Sequence, residues 1–157
     1  MTWQLRRAAE GDLDALMALE AEIYPDDAWS SENMARELTG DHTYYLVAIG
    51  DDGAIDAYAG LLAPLGTGQG DIQTVTVAPR ARRQGLGRTL LLALINEARR
   101  RGAEELFLEV RADNESAQAL YTELGFEAVA VRKRYYKGGI DALSMRLSIP
   151  APRTGIA

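Results

Sequence analysis

Apolar positions recur along the chain with two periods. Over residues 12–23 they fall at Leu13, Leu16, Met17, Leu19 and Ile23, the three- and four-residue spacing of one helix face. Pro25 breaks that pattern. Ser30 or Ser31 then caps a second helix running to about Leu38, with Gly40 as its stop. A third helix follows Gly87, where Leu86, Leu90, Leu94 and Leu91, Ile95, Ala98 share one face and Gly102 ends it. A fourth runs from the cap Asn114 to Leu124 and stops at Gly125. Between them lie short runs rich in β-branched and aromatic residues: 3–7, 44–49, 55–65, 72–77, 105–110, 129–136 and 142–149. Asp51-Asp52-Gly53 turns the second into the third, Pro79 ends the fourth, and Gly138-Gly139 joins the last two. Strands that alternate with helices predict an α/β sheet covered by helices.

No repeat and no second apolar core interrupts this order. One domain over residues 1–149 is expected, with a flexible tail over 150–157 that carries Pro150, Pro152 and Gly155. A chain of 157 residues is long enough to bury its own core.

Composition narrows the function. Hydrophobic residues make 47% and charged residues 25%, and no run approaches the ~18 apolar residues of a membrane span. The first twelve residues hold no apolar signal core, so a cytoplasmic protein is expected. There is no cysteine, which removes disulfides, thiol nucleophiles and thiolate metal sites. The single His42 sits in a predicted loop without a partner motif, and no metal constellation is visible. Net charge is −6, which argues against nucleic-acid binding and favours a cationic partner. Yet Arg80, Arg82, Arg83 and Arg88 cluster around one turn.

That turn is Arg82-Arg83-Gln84-Gly85-Leu86-Gly87, between the β-branched strand and the third helix. Its glycines allow unusual backbone angles and close approach of a ligand. The free N–H groups and positive dipole end of the helix make it a candidate phosphate site; the alternative is a glycine turn before an ordinary helix. It is not a Walker A loop, because Arg88-Thr89 follows Gly87 instead of Lys-Ser/Thr. It is not a dinucleotide fingerprint, because the third glycine is missing.

The pattern Arg82-x-x-Gly85-x-Gly87 resembles the acetyl-coenzyme A loop of the GNAT superfamily of N-acetyltransferases. Two further stretches extend the likeness: Leu108-Glu109-Val110-Arg111, and residues 114–121 from Asn114 to Tyr121 with Leu124-Gly125-Phe126 behind them. Their order and spacing are similar to the RimI branch, the alanine N-acetyltransferases of ribosomal-protein N-termini. The resemblance spans about residues 74–145. It implies a mixed, twisted sheet of about seven strands flanked by about four helices, with the fourth and fifth strands splayed around the pantetheine arm of acetyl-coenzyme A.

The resemblance also implies roles. Backbone N–H groups of Arg82, Arg83, Gln84, Gly85, Leu86 and Gly87, with Arg88 nearby, would face the pyrophosphate. Val75, Thr76 and Val77 would offer strand-edge groups to pantetheine and the acetyl carbonyl, as an oxyanion hole, while the side chains of Val75 and Val77 pack the core. Asn114 would cap its helix and bond pantetheine. Glu109, in an apolar strand, would take a proton from the amine; its alternative is an outward residue paired with an arginine. Tyr121 would protonate the leaving thiolate; its alternative is a helix-core aromatic.

An α-amine titrates near pH 8 and a lysine amine near 10.4, so one modest base suits the α-amine. Tyr135 and Tyr136 resemble the tyrosine-bearing hairpin that peptide N-terminal acetyltransferases lay over their substrate, and Tyr24 and Trp29 would form the opposite wall; the alternative for each is packing against the sheet rim. The expected partner is a protein N-terminus, alanine first, on a basic ribosomal protein, drawn by Asp26, Asp27, Glu32 and Glu37; a monomer is expected. Competing readings are an acetyltransferase of lysines or small amines, and a cofactor-sensing domain without turnover.

Overall fold

A computed structural model of the chain describes residues 2–150. Past Pro150, the expected tail lies outside the described residues. Seven strands form one sheet in the order β1-β2-β3-β4-β5-β7-β6. They are β1 Gln4–Arg7, β2 Thr43–Ile49, β3 Ile55–Leu62, β4 Gln69–Val77, β5 Glu105–Arg111, β6 Glu127–Tyr136 and β7 Ile140–Ser148. The helices are α1 Leu13–Ile23, α2 Ser31–Thr39, α3 Leu86–Arg100 and α4 Glu115–Glu123. This is the mixed α/β fold the sequence predicts. All neighbours pair antiparallel except β4 and β5, which are parallel.

Strand alternation sorts the core into two layers. Leu46, Ala48, Ala57, Ala59 and Leu61 face Leu86, Leu90, Leu91, Leu94 and Ile95 of α3. Tyr45, Val47 and Tyr58, from the opposite parity, face Leu16, Leu19 and Met34 of α1 and α2. Small residues on the α3 side let the helix lie close to the sheet. The helix ends are those written in the sequence: the Ser30 hydroxyl accepts from Asn33 N–H at 3.1 Å, and Asn114 Oδ1 accepts from Ala117 N–H at 3.1 Å.

Two strand ends differ most from expectation, by three residues each. β3 stops at Leu62: one further rung follows, from Ala63 N–H to the His42 carbonyl, and Pro64 has no N–H to carry the ladder on. β4 begins at Gln69, recruited early by pairing Gln69, Gly70 and Asp71 with Glu105, Leu106 and Phe107 of β5.

Gly60 shows how tightly the centre is packed. It lies opposite Tyr45, and a Cβ there would stand 2.2 Å from the Tyr45 ring carbon Cζ. That ring is buried and its hydroxyl donates to Gln73 Oε1 at 2.6 Å, so it has nowhere to swing. Gly60→Ala is therefore expected to cost about 1–3 kcal/mol by overpacking, read as a lower urea midpoint. An unmoved midpoint would mean that the Tyr45 ring is not held.

Candidate active site

The parallel pairing of β4 and β5 lasts only from Gln69 to Asp71. Beyond it, β4 continues against β3, where Val75 meets Ala59 and Val77 meets Ala57. β5 continues against β7, where Glu109 meets Ser144 and Arg111 meets Ala142. The two strands part and leave a cleft edged by backbone. In β4, Ile72 pairs with Leu61 and Thr74 with Gly60, so Gln73 is the extra residue of a bulge. The Tyr45 hydroxyl bond fixes the Gln73 side chain.

A cavity of about 220 Å³ fills the cleft, lined by Tyr24, Trp29, Gln73, Thr74, Val75, Glu109, Asn114, Tyr121 and Tyr136 among others. An adjoining cavity of about 400 Å³ shares Trp29, Gln73, Glu109 and Tyr136 and adds Tyr135. Candidate residues from five separate stretches of sequence thus meet in one place.

At the far end of β4, a 3-10 turn over Pro79–Ala81 leads into the glycine loop. Arg83 and Gly85 both take left-handed backbone angles, at φ 64° and 80°, and α3 then starts at Leu86 with no side-chain cap. The N–H groups of its first turn are left for an anion. The four arginines do not all serve that end. Arg80 binds Asp56 at 2.8 Å, and Asp56, only 2% exposed, also accepts from the Trp3 indole at 2.9 Å, so Arg80 is a structural residue. Arg82 donates to the Val77 carbonyl at 3.1 Å, and Arg88 reaches Glu123 at 3.2 Å. Leu86 is buried in the core and offers only backbone. Gln84 lies within the loop, on its exposed side. A Cβ on Gly87 would meet Leu120, Val77 and Val75 at 3.8–4.0 Å, an ordinary contact. Nothing in the fold itself therefore excludes a side chain at Gly87, whereas Gly85 is required by its backbone angle.

Glu109 is not the carboxylate in apolar surroundings that its strand neighbours imply. Ser144 Oγ donates to Oε2 at 2.5 Å and Arg132 Nε lies 3.3 Å from Oε1. Leu108 and Val110 point into the core, while Glu109 points to the opposite face. Tyr121 packs edge-to-face on Phe126, with centroids 5.8 Å apart. Burial, aided by the Tyr24 and Tyr136 phenols, pushes the Tyr121 hydroxyl up to about 12. It therefore keeps its proton at neutral pH. Tyr136 is likewise raised to about 12, first by burial. Tyr24 reaches Thr76 Oγ1 at 3.4 Å, which in turn meets Thr74 Oγ1 at 3.1 Å. The Thr76 side chain is thus committed within the protein.

Sequence reasoning missed Glu20. It is 2% exposed, lines the cavity and accepts the Trp29 N–H at 3.2 Å, which ties the aromatic loop to α1. Burial raises its carboxyl above the ordinary range. The signal was present: Glu20 stands four residues after Leu16 and three before Ile23, on the apolar stripe. Gln73 gave no such signal, because a bulge depends on the register of two strands. The acidic wall is also partly spent, since Asp27 lies 3.8 Å from Arg111.

The sequence pattern of the acetyltransferase (GNAT) family matches residues 13–126. An N-alpha-acetyltransferase, RimI, of Mycobacterium tuberculosis is 37% identical over 139 residues, 86% of this chain and 85% of that protein. The crystal structure of the ribosomal-protein-S18-alanine N-acetyltransferase of Escherichia coli superposes with a TM-score of 0.85 at 31% identity, over 99% of both chains. A phosphinothricin acetyltransferase of Sinorhizobium meliloti, crystallised with acetyl-coenzyme A, superposes with a TM-score of 0.81 at 25% identity, over 99% of this chain and 96% of that one.

Two outcomes test this geometry. Gly87→Ala is expected to keep the melting temperature and weaken coenzyme A binding about tenfold or more by calorimetry, whereas Gly85→Val lowers both. Full affinity in Gly87→Ala would remove the loop from the anion site. Glu20→Gln keeps an acceptor for Trp29 N–H and deletes a buried charge. The raised Glu20 carboxyl favours its protonated form in the fold, so it weakens the wild-type fold as pH rises through that raised value. The variant should match wild type in denaturant midpoint at acidic pH and exceed it at pH 8. A difference that does not grow with pH would contradict the buried-charge account.

Proposed function

The chain belongs to the GNAT family of acetyltransferases, and from that premise we propose that it acetylates the α-amine of a protein N-terminus, alanine first, on the ribosomal protein S18 of its own cell. The observation that carries this reading is the meeting of Glu109 and Tyr121 in one cavity walled by aromatics. Acetyl-coenzyme A supplies the thioester-activated acetyl group. Residues 82–88 hold its pyrophosphate through backbone N–H groups, and Val75, Thr76, Val77 and Asn114 take the pantetheine arm in the cleft. The fit rests on the parted strands, the uncapped start of α3 and the open side of Gly87.

Glu109 takes a proton from the incoming ammonium, directly or through a water, with Arg132 and Ser144 fixing its carboxylate. Tyr121, protonated at neutral pH, gives its phenolic proton to the departing sulfur. Backbone N–H groups of the bulged β4 face the acetyl oxygen as charge grows there. With no cysteine to carry an acyl group, transfer is direct, within a ternary complex. Tyr24 and Trp29 on one side and Tyr135 and Tyr136 on the other bind the peptide. The enzyme works in the cytoplasm, where ribosomal proteins are made.

The test is thiol release with a panel of substrates: an alanine-led peptide, the same peptide with a blocked N-terminus and an internal lysine, and a small diamine. The alanine-led peptide should react fastest, and mass spectrometry should place the acetyl on its α-amine. Tyr121→Phe should bind coenzyme A normally and lose about 10²-fold in kcat, with a comparable loss in Glu109→Gln. Faster reaction of the lysine or the diamine would assign the enzyme to those substrates, and parental rates in both variants would withdraw the proposed acid and base.

A further inference from the structure

The adjoining cavity begins where the reaction cavity ends, at Glu109, and opens outward between β4, β5 and the β6–β7 hairpin. Its walls are Trp29, Gln73, Phe107, Tyr135 and Tyr136, and its one further charged residue is Asp71. Asp71 is the last residue of β4 to pair with β5, opposite Phe107, at the point where the strands part.

Four nearby carboxylates have cations. Glu105 lies 3.7 Å from Arg146, Glu109 3.3 Å from Arg132, Asp27 3.8 Å from Arg111, and Asp141 3.1 Å from Lys133. The cations are committed in turn: Arg132 also stacks over Tyr135 at 5.6 Å and Arg111 over Tyr136 at 5.5 Å. Among the described residues, Asp71 has no salt-bridge partner. Partial burial, with the Glu109 charge second, pushes its carboxyl above the ordinary range. The residue is open to solvent on the cavity wall, where an entering cation can reach it.

We propose that Asp71 is a specificity residue of the acetyltransfer site: its carboxylate, in the wall of the same cavity as Tyr135 and Tyr136, binds the cationic side chain of the second residue of the substrate peptide. This rests on the reading of the site as a peptide N-acetyltransferase. The α-amine must reach Glu109 and Tyr121, so the chain that follows it leaves through the adjoining cavity. One residue of extended peptide spans at most about 3.6 Å, which brings the second side chain beside the first wall past Glu109. A lysine or arginine there meets a carboxylate, an interaction that favours a cation over a neutral chain of equal length. The acidic residues on the α1–α2 loop, Asp26 and Asp27, are less suited: Asp27 is paired with Arg111, and Asp26 accepts Lys137 at its backbone carbonyl.

The experiment compares two peptides that differ only at position two, Ala-Lys and Ala-norleucine, which have the same chain length and differ in charge. In the parent protein Ala-Lys should be preferred in kcat/KM, with the preference shrinking as salt rises. In Asp71→Asn the ratio of the two kcat/KM values should fall about fivefold, mostly through KM. Asp71→Lys should move the preference toward Ala-Glu. Melting temperatures check that both variants are folded. A ratio that stays at the parental value in both variants overturns the assignment, as does an equal loss on both peptides, which would make Asp71 a general part of the machinery. If the parent acetylates neither peptide but does acetylate a lysine or a small amine, both this inference and the peptide reading fall. A parent that acetylates both peptides with an unmoved ratio in the variants removes the Asp71 inference alone.

Discussion

The site depends on a failure of strand pairing. β4 and β5 are the one parallel pair in the sheet, and they share a ladder only over Gln69–Asp71 and Glu105–Phe107. An unpaired strand edge normally costs free energy, because backbone N–H and C=O groups lose their partners. Here each strand keeps a full ladder on its other side, β4 with β3 and β5 with β7, so both can part without unravelling. The bulge at Gln73 supplies the bend. The result is a gap in the middle of a sheet, edged by β4 and β5 and opening into the cavity.

The remaining parts of the site follow from that gap. The chain leaves β4 at Val77, turns through Pro79–Ala81 and starts α3 at Leu86, so the open helix end stands at the end of the cleft. α4 begins just after β5 and carries Tyr121 on the side turned toward the gap, where it lines the cavity with Glu109. The β6–β7 hairpin brings Arg132 to Glu109 and Tyr136 to the cavity wall. α1 holds the facing loop through one buried carboxylate, Glu20, bound to the Trp29 backbone.

Charge is distributed with the same economy. The chain carries a net charge of −6, yet most cations near the site are spent on internal partners. Arg80 neutralises buried Asp56, and Arg100 and Arg101 both bind Glu97 on α3, far along the chain from the glycine loop. Arginine clustering in the sequence therefore overstated the cationic side chains at the candidate anion site. Backbone N–H groups, which composition cannot reveal, are the more dependable feature there.

Elements and their caps were legible in the sequence, since helix periodicity, Ser30, Asn114, Gly102 and Gly125 act over one turn of chain. The glycine loop was legible for the same reason: a left-handed Gly85 before a helix start is a local event. The sequence alone could also name Glu109 and Tyr121 as candidates, but not their surroundings. Whether Glu109 stood among apolar groups or beside Arg132 and Ser144 depended on the pairing of β5 with β7 and of β7 with β6. The register of β4, the bulge at Gln73, the partnering of Arg80 and the isolation of Asp71 are long-range outcomes of the same kind. Local chain chemistry determined which elements form and which residues are able to do chemistry. Only the tertiary structure decided which of those residues meet, because strand register joins positions far apart in sequence and no short stretch encodes it.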